Sequence, residues 1–545
     1  MAKYMLTSTD GRGLLFALGK GPTVIGRATD ATIPLPEDEL ASRKHCEIRP
    51  DGAGGLVVTD LGSRNGTKVN KQKIEGPTPL RRGDSIKVGS HVFAVEAEQS
   101  MAEARAEARA TSIDAGGAGA VTWPAELRGM IESLAPRGTG ADDPVQMVDN
   151  AGDPSNILTT ETDGPKLMRN LLLLASKSRA TDIHLEPKAD RAAVRMRVDG
   201  QMAAITEVPL KTGELCVGVA RAGCNMVAAA KDAAVDGHFS ARFKNKRVDY
   251  RISITPSVHG PKLVLRVLDG TSAPKTLHEL GLPSYMHDRV KRTCEKEHGL
   301  LLVSGPTGSG KTTTLYNALR EIDRDTTNVV TIEDPVEYNL EGVTQIPVDV
   351  QRGNSFHDLL RSVLRQDPDV ILVGEIRDEE TARTAMQASI TGHVVFTTIH
   401  AKDSISSVFR LLDLKVEPYL VANALDLVLA QRLVRMLCEN CKRPVRTTAG
   451  QLSRIGRWLE GKSETFESVG CAQCLRTGYR GRRALFEMLD VTDELRDVIL
   501  RDATVTGIKR VVERGLFMTL QQCGWQLAAR GHTSLEEADR VAGTG

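Results

Sequence analysis

A glycine-rich segment in the second half of the chain has the residue types and spacing of a phosphate site. An apolar run at 300–304 leads into the pattern G-x-x-x-x-G-K-[ST], and a helix-compatible stretch follows to residue 322. Glycines let backbone N–H groups wrap phosphates, and a helix N-terminus adds its dipole. Lys311 would reach the β- and γ-phosphates, and Thr312 would hold Mg²⁺. The flanking strand and helix favour a nucleotide site over a plain glycine-rich turn. The predicted nucleotide-binding residues are Gly305, Pro306, Thr307, Gly308, Ser309, Gly310, Lys311, Thr312 and Thr313.

Carboxylates follow two further apolar runs, where a magnesium-dependent reaction would need them. The run at 370–373 is followed by Gly and Glu375, and the run at 329–332 by E-D-P-V-E. Three carboxylates within five residues at a strand end are costly unless they meet a cation, a proton or water. Glu375 is therefore the candidate for the Mg²⁺ shell, and Glu337 or Glu333 for orienting water. The sequence does not separate these roles, and a solvated acidic loop is the alternative.

Four cysteines form two C-x₂-C pairs in the last quarter of the chain, at Cys438, Cys441, Cys471 and Cys474. Each pair can chelate one edge of a tetrahedron, and thiolates favour Zn²⁺ over Mg²⁺. The gap between the pairs is longer than in compact zinc fingers, which predicts an inserted subdomain with a structural Zn²⁺. Paired disulfides or idle thiols are the alternatives.

Three short motifs near the N-terminus fall in turns between short strands. They supply a guanidinium from Arg27, a hydroxyl from Ser42 and an amide from Asn65, which together can clamp a phosphate and a peptide backbone. The segments 85–88 and 91–95 flank Gly-Ser, a two-residue hairpin signal. Strands at this spacing without a long helix predict an all-β sandwich.

The elements that position these residues belong to several domains, because 545 residues is too long for one core. The segment 101–110 is rich in Ala, Glu and Arg, and 112–120 is rich in Gly and Ala, which predicts a linker that is partly helical and then flexible. Mixed α/β structure follows. From residue 277 onward, helices alternate with apolar runs of four to six residues, which is typical of a mainly parallel sheet.

Composition restricts the partners and the compartment. Lys plus Arg number 71 against 70 Asp plus Glu, so net charge provides no drive toward nucleic acid or an anionic membrane. Apolar stretches fall well short of the about 18 residues that span a bilayer, so no transmembrane segment is expected. The first residues lack the apolar core of a secretory signal. Nine cysteines with two C-x₂-C pairs suggest metal in a reducing compartment, and a cytoplasmic location is predicted.

From about residue 145 onward, the chain resembles the secretion ATPase superfamily that powers type II secretion and type IV pilus assembly. Four blocks carry the resemblance, at 182–187, 331–338, 364–378 and 391–400. It implies an ATP-hydrolysing homohexamer of two-lobed subunits that works with inner-membrane platform proteins at the cytoplasmic face of that membrane. The tetracysteine pattern occurs in the assembly and secretion members and not in the retraction members, which favours an extension-type motor.

The same resemblance assigns further residues to catalysis. Arg251 and Arg266 match arginines that the N-terminal lobe supplies to the γ-phosphate, where a guanidinium neutralises developing charge. His393 and His400 match histidines that sense this phosphate, although each alone is more typical of packing. The chain departs from the family at 399–403, and at His238, where the family has an arginine.

Residues 1–98 resemble the forkhead-associated (FHA) domain, a β-sandwich that recognises phosphothreonine. By the family pattern, Arg27 and Ser42 meet the phosphate, Arg64 and Asn65 meet the peptide, and Arg43 lies in the same recognition loop. An FHA fold that binds an unphosphorylated partner is the alternative. The domain stands where secretion ATPases normally dock onto the platform, so we expect docking through a phosphothreonine-containing protein.

The predicted fold is multidomain, with an all-β FHA sandwich before an α/β two-lobed secretion ATPase. The predicted domains are an FHA domain at 1–98, a flexible linker at 99–123, a helical connector at 124–163, a PAS-like N-terminal ATPase lobe at 164–272, and a RecA-like P-loop lobe at 276–545 that includes the zinc subdomain at 436–476. Two rivals remain: a signalling scaffold that binds nucleotide without turnover, and a ring ATPase that moves DNA. Near-zero net charge weighs against the second, and no nucleic-acid partner is expected.

Overall fold

The chain forms two compact units, Met1–Val121 and Thr122–Gly545. The computed structural model describes residues 4–8, 15–18, 21–28, 31–35, 38, 40–51, 55–70, 72–81, 83–97, 123–134, 140–226 and 233–543. The linker predicted at 99–123 therefore lies outside the described residues, except for Trp123.

The N-terminal unit is a sandwich of two mainly antiparallel sheets, as predicted. One sheet has the strand order β2-β1-β11-β10-β7-β8 and the other β4-β3-β5-β6-β9, and inward side chains from both sheets form one core. The predicted two-residue hairpin is present, with Val88 paired to His91. The strands are β1 Tyr4–Ser8, β2 Leu15–Leu18, β3 Thr23–Gly26, β4 Ile33–Pro34, β5 Cys46–Pro50, β6 Leu56–Asp60, β7 Lys68–Val69, β8 Gln72–Lys73, β9 Thr78–Leu80, β10 Ser85–Val88 and β11 His91–Ala97.

The second unit begins with a lobe built on an eight-stranded antiparallel sheet, which we call the N-lobe. Its strand order is β13-β12-β17-β18-β19-β14-β15-β16. The elements are α1 Trp123–Ser133, β12 Gln146–Val148, β13 Pro154–Ser155, α2 Asp163–Ser178, β14 Ala180–Pro187, β15 Arg191–Val198, β16 Gln201–Pro209, α3 Leu210–Gly223, β17 Val235–Arg242, β18 Arg247–Ser257 and β19 Gly260–Leu268. One face of the sheet is buried against the helices. Strict alternation in β18 leaves the charged side chains on the other face.

The segment 124–163 is not helical throughout, in contrast to the connector predicted there. Among the described residues in the first half of this segment, α1 forms the α-helix. β12 pairs with β17 and so joins the N-lobe sheet. Trp123, Leu127 and Ile131 of α1 are buried in the N-lobe core. The segment is therefore part of the lobe.

The following lobe, which we call the C-lobe, has a seven-stranded sheet in the order β22-β21-β23-β24-β20-β25-β28, parallel except for β28. Its inner strands are buried on both faces, which explains their continuous Val, Ile and Leu runs. The elements are α4 Ser284–Cys294, β20 Gly299–Ser304, α5 Lys311–Arg320, β21 Val329–Glu333, β22 Thr344–Pro347, α6 Phe356–Val363, β23 Val370–Val373, α7 Glu379–Ile390, β24 Val394–Ile399, α8 Ser404–Asp413, α9 Pro418–Ala424, β25 Leu425–Leu437 and β28 Tyr479–Asp490.

Between β25 and β28 lies a small insertion, and helices follow β28. The insertion contains β26 Arg443–Arg446, α10 Ala449–Ile455 and β27 Glu464–Glu467, and the final helices are α11 Asp493–Asp502, α12 Val505–Val512, α13 Leu520–Ala529 and α14 Leu535–Ala542. Ile455 and Leu459 of the insertion pack with Ala528 and Ala538 of α13 and α14. Among the described residues, no helix has both the length and the apolar character needed to cross a membrane.

Candidate functional site

The predicted phosphate loop connects the carboxyl end of β20 to the first residue of α5, Lys311. Its backbone runs close to β25: a Cβ added at Gly305 would lie 2.5 Å from the carbonyl oxygen of Gln431, and Gly310 has a φ of +89°. Position 305 has no room for a Cβ, and position 310 has a left-handed backbone, so glycine suits each of them. Lys311 Nζ donates to the carbonyl oxygens of Gly305 and Pro306, at 3.0 and 3.3 Å, so the ammonium folds back over the loop.

Gln431 of β25, which was not among the predicted site residues, is hydrogen-bonded to this loop. Gln431 of β25 is buried; its Nε2 donates to the Ser309 carbonyl at 2.7 Å, and its Oε1 accepts from Thr314 Oγ1 at 2.7 Å. β25 also contains Asp426, Arg432 and Arg435, so a polar residue at this position was only a weak signal in the sequence. Gln431 therefore fixes both the loop and the first turn of α5.

Glu375 follows β23, beside the phosphate loop, and has two cationic or potentially cationic neighbours. Arg377 Nη2 donates to Glu375 Oε1, and His400 Nε2 lies 3.3 Å from Glu375 Oε2. The hydrogen bond with Glu375 raises the pKa of Arg377. Burial lowers the pKa of Lys311, and the nearby Glu375 carboxylate partly opposes this effect. Arg377 was not among the predicted site residues.

The two candidates for orienting water differ sharply in environment. Glu333 is 3% exposed; its Oε2 accepts from Tyr316 Oη, and its Oε1 accepts from Thr331 Oγ1 at 2.5 Å and Gln345 Nε2 at 3.1 Å. Burial, together with the hydrogen bond to Glu333, raises the pKa of Tyr316. Glu337, in contrast, is exposed and lines the cavity at the phosphate loop. Of these two candidates, Glu337 has the carboxylate that is more open to a water molecule.

A cavity of about 780 Å³ brings most of the predicted catalytic residues together. It is lined by Lys311, Thr312, Thr313, Glu333, Glu337, Glu375, Arg377 and His400 of the C-lobe, and by Arg247 and Asp249 of the N-lobe. The carboxyl ends of parallel strands converge at this edge of the sheet, which is where ligands bind in open α/β folds. Thr312 and Glu375 thus face one space that a nucleotide and a cation can share.

The structure does not bring His393 to this cavity. Its Nδ1 lies 3.0 Å from the Ala388 carbonyl oxygen, and its own carbonyl accepts from the N–H of Gly299, the first residue of β20. The phosphate loop follows the other end of β20, roughly 20 Å away along six strand residues. His393 and His400 therefore lie at opposite ends of β24.

Arg251 and Arg266 pair with each other across β18 and β19, but they line an adjoining groove of about 770 Å³ on the exposed face of the N-lobe sheet, which shares Asp249 with the cavity at the phosphate loop. Asp182 and His238 line the same groove, and Asp182 Oδ1 lies 3.5 Å from Arg266 Nε. The two arginines are thus close to one another, and neither lines the cavity at the phosphate loop.

The four predicted metal-binding cysteines form one cluster, with all Sγ atoms within 4.8 Å of one another. Three Sγ–Sγ distances are 3.8 to 3.9 Å. Four sulfurs bound tetrahedrally to Zn²⁺ at 2.3 Å would lie about 3.8 Å apart. The N–H groups of Cys471 and Gly478 donate to Cys474 Sγ, and that of Gly470 donates to Cys441 Sγ. Such donors stabilise thiolate ligands, so the residues fit a zinc ion.

The predicted phosphopeptide residues also converge. The Arg27 N–H donates to the Ser42 carbonyl at 2.9 Å, the Arg64 N–H donates to Ser42 Oγ at 3.0 Å, and Asn65 Nδ2 donates to the Leu40 carbonyl at 2.8 Å. Arg27, Arg43 and Arg64 are exposed. These contacts place three guanidinium-bearing residues around the Ser42 loop.

Two carboxylates hold the loops of this N-terminal site. Asp60 accepts from the N–H and hydroxyl groups of Ser63 and Thr67, and these hydrogen bonds outweigh burial and lower its pKa. Asp38 accepts from Ser90 and the Leu40 N–H, and lies 2.9 Å from His91 Nδ1. Burial raises the pKa of Asp38, but these hydrogen bonds prevail and lower it to about 2.

Comparison with known proteins gives the family. The sequence model of the type II/IV secretion system protein family matches residues 161–540, and that of the FHA domain matches residues 23–89. The type II secretion system ATPase E of Vibrio cholerae is 37% identical over 418 residues, 76% of this chain and 82% of that protein. The type IV pilus assembly ATPase PilB of Thermus thermophilus is 38% identical over 387 residues, 70% of this chain and 43% of that protein.

A solved structure agrees on the fold. The ATPase DotB of Legionella pneumophila superposes with a TM-score of 0.54 at 22% identity, over 71% of this chain and 99% of that one. The fold expected from the resemblance, an FHA domain followed by a two-lobed α/β secretion ATPase, is confirmed by the family matches together with this structure. The chain is an ATPase that belongs to the type II/IV secretion system protein family and carries an FHA domain near its N-terminus.

Proposed function

We propose that this chain is the motor of a type II secretion or type IV pilus assembly system and converts ATP hydrolysis into assembly. The observation that supports this proposal most is the convergence of Lys311, Thr312, Glu337 and Glu375 around one cavity at the carboxyl ends of parallel strands. Lys311 would bind the β- and γ-phosphates, and Glu337 would orient the attacking water. Thr312 and Glu375 would hold Mg²⁺, which neutralises charge on the phosphate oxygens.

The test is ATP turnover by Glu375→Gln beside the wild-type chain. We expect Glu375→Gln to bind a fluorescent ADP analogue while kcat falls by about 10²-fold or more. Equal turnover by the two proteins would overturn the role of Glu375. Absence of turnover in the wild type, with nucleotide still bound, would favour the scaffold alternative.

We further propose that Arg251 and Arg266 act at the γ-phosphate in a homohexamer. Because neither arginine lines the cavity at the phosphate loop, this role calls for movement of the N-lobe or for the arginines of a neighbouring subunit. Arg251→Ala should lower kcat and leave binding of ADP, which has no γ-phosphate, unchanged. Equal losses of ADP and ATP affinity would contradict this role of Arg251. The hexamer is tested separately, by the mass of the full-length protein in solution.

For the cysteine cluster we propose a structural Zn²⁺, held by Cys438, Cys441, Cys471 and Cys474. The support is the tetrahedral spacing of the four sulfurs and the N–H donors around them. Elemental analysis of the purified chain should give one zinc per subunit, and Cys441→Ser should lower that value. A zinc-free wild-type chain that retains its fold would contradict the proposal.

For the FHA domain we propose recognition of a phosphothreonine-containing protein, which brings the motor to its platform at the cytoplasmic face of the inner membrane. Capture of partners by the wild-type chain and by Arg27→Ala, with and without phosphatase treatment of the lysate, tests this proposal. A partner lost in both controls supports a phosphorylation-dependent contact. A partner retained in both would show that the domain binds an unphosphorylated surface.

A further inference from the structure

The tight turn between β15 and β16 of the N-lobe contacts the C-lobe through hydrogen bonds and an ion pair. Val198 pairs with Gln201, so Asp199 and Gly200 form a two-residue turn. Asp199 is 7% exposed; its Oδ2 accepts from the Gly481 N–H at 2.6 Å, and its Oδ1 lies 3.6 Å from Arg482 Nε. A buried carboxylate is therefore paired entirely across the boundary between the lobes.

The other side of the same turn is held through Arg435 of β25. Its Nη1 donates to Gln201 Oε1, and its Nη2 donates to the buried Glu537 at 2.6 Å. The guanidinium carbon lies 4.3 Å from the ring centroid of Tyr479, a cation–π distance. The turn thus contacts Arg435 through Gln201, and Gly481 and Arg482 through Asp199.

Tyr479, Gly481 and Arg482 lie within eight residues after Cys474, the last cysteine of the cluster. Leu475 follows Cys474, has a left-handed backbone with φ of 50°, and packs against the N-lobe core. The cluster fixes the backbone on both sides of Leu475. Gly478 donates its N–H to Cys474 Sγ, and its carbonyl accepts from the Cys438 N–H. The position of Leu475 therefore depends on the geometry of the sulfur cluster.

Asp199 and Arg482 of this contact also line a cavity beside the phosphate loop. This second cavity, of about 640 Å³, is lined by Arg179 and Asp199 of the N-lobe and by Arg482 of β28. Gly310 and Thr313, at the start of α5, line the same cavity. A shift of the N-lobe at this turn would change a space that is continuous with the nucleotide loop.

We propose that the cysteine cluster locks the two lobes together. By holding residues 474–482, the bound metal fixes the N-lobe through Leu475 and Asp199, and so fixes the N-lobe wall beside the phosphate loop. We call this contact set the interlobe clasp; it consists of Asp199, Gln201, Arg435, Leu475, Tyr479, Gly481 and Arg482. The inference rests on the proposed Zn²⁺ and gives that ion a role in positioning the N-lobe. Leu475 and Asp199 are positioning residues, since neither bears on the phosphate loop directly.

The test uses the full-length chain and the variant Leu475→Asn. Asparagine tolerates the left-handed backbone, so the change removes the apolar contact without new strain. Val469→Asn is the matched control, because Val469 lies in the same loop but is 56% exposed. For each protein we measure the zinc content, the hydrogen exchange of residues 195–203, and the kcat and KM for ATP. Leu475→Met, which keeps an apolar side chain, is the rescue variant.

We expect Leu475→Asn to retain one zinc while residues 195–203 exchange about tenfold faster, because the turn opens without the clasp. The KM for ATP should rise by about threefold, since a binding wall is lost, with a smaller change in kcat. Val469→Asn and Leu475→Met should match the wild type. Removal of zinc by a chelator should reproduce the exchange change in the wild type.

Two results would overturn the clasp. Exchange at 195–203 that is equal in Leu475→Asn and Val469→Asn would show that the contact does not hold the turn. Zinc removal without an exchange change would show that the metal does not act through it. A wild-type chain without zinc would instead remove the zinc proposal and with it the metal's part in the clasp. If Leu475→Asn does not fold, Arg482→Ala is the second variant, because it removes the ion pair between Arg482 and Asp199 in the same clasp.

Discussion

Among the carboxylates near the nucleotide cavity, hydrogen bonding distinguishes a structural side chain from a catalytic one. Both oxygens of Glu333 are used by buried donors, whereas Glu337 is exposed to the cavity. Glu333→Gln places an amide N–H group against one of those donors and should reduce stability by about 1–3 kcal/mol. Glu337→Gln should leave stability unchanged and reduce kcat by about 10²-fold or more. Thermal unfolding and steady-state ATP turnover of both variants check this prediction, and the reverse assignment would contradict it.

Asp38 provides a prediction for pH dependence in the N-terminal unit. Its pKa is about 2 in the folded chain against an ordinary value of 3.8, so its contribution to stability is present above about pH 4 and is lost as pH falls toward 2. At pH 7 that contribution is about 2 kcal/mol. Asp38→Asn should therefore increase hydrogen exchange of β10 and β11 at pH 7. A variant whose exchange equals that of the wild type would contradict the assignment.

Glycine at position 26 is required by a close backbone approach. A Cβ there would lie 2.4 Å from the Arg43 carbonyl oxygen, whereas a Cβ at Gly21 would meet nothing within 4 Å. Gly26→Ala should destabilise β3 by about 1–3 kcal/mol, because the Ser42–Arg43 backbone must move. Gly21→Ala should stay within about 0.5 kcal/mol of the wild type. Hydrogen exchange of β3 and β5 is measured in both variants. Faster exchange in Gly26→Ala but not in Gly21→Ala would show that the close backbone approach, and not alanine itself, destabilises the unit.

At the scale of elements, β25 supports the phosphate loop, and Gln431 makes that contact. Gln431→Leu leaves the Ser309 carbonyl and the Thr314 hydroxyl unpaired in a buried place. Each unpaired group costs about 1–3 kcal/mol, so the KM for ATP should rise by about tenfold. Gln387→Leu is the control, because Gln387 is an exposed glutamine on α7 of the same lobe. Equal KM values for the two variants would show that the loop is held without Gln431.

The sequence predicted those parts of the site whose signal is local. A strand, a glycine loop and a helix adjoin one another around Lys311, so spacing alone indicated that residue. An apolar run directly precedes Glu375, which spacing made a candidate and the family resemblance supported. Gln431, Arg377 and the clasp residues were missed because their roles depend on contacts between distant segments. Gln431 lies 122 residues from Ser309, and Asp199 lies 282 residues from Gly481.

The histidines show a second reason why residues were misplaced. The family block that contains His393 and His400 spans the whole of β24. The two histidines therefore lie at opposite ends of that strand. Proximity in sequence therefore did not imply proximity to one phosphate. Of the two, only His400 follows the carboxyl end of a parallel strand, which is the end where the site forms.

At the scale of the whole molecule, the two units have separate cores, so the ATPase should function without the FHA domain. The boundary matters, because α1 belongs to the N-lobe core. Trp123, Leu127 and Ile131 are each at most 5% exposed, and Lys177 Nζ donates to the Ile131 carbonyl at 2.8 Å. A chain that begins at Thr122 should keep the wild-type unfolding temperature of the ATPase and turn over ATP at a rate within about twofold of the full chain.

The matched truncation begins at residue 140 and removes α1. It exposes the surface that three large side chains cover, each worth about 3 kcal/mol or more when lost from a core, and it leaves Lys177 without its buried acceptor. We therefore expect this shorter chain to aggregate or to unfold at a much lower temperature. If both truncated chains were equally stable, α1 would be part of the linker. If neither hydrolysed ATP although both folded, the N-terminal unit would have to contribute to turnover itself.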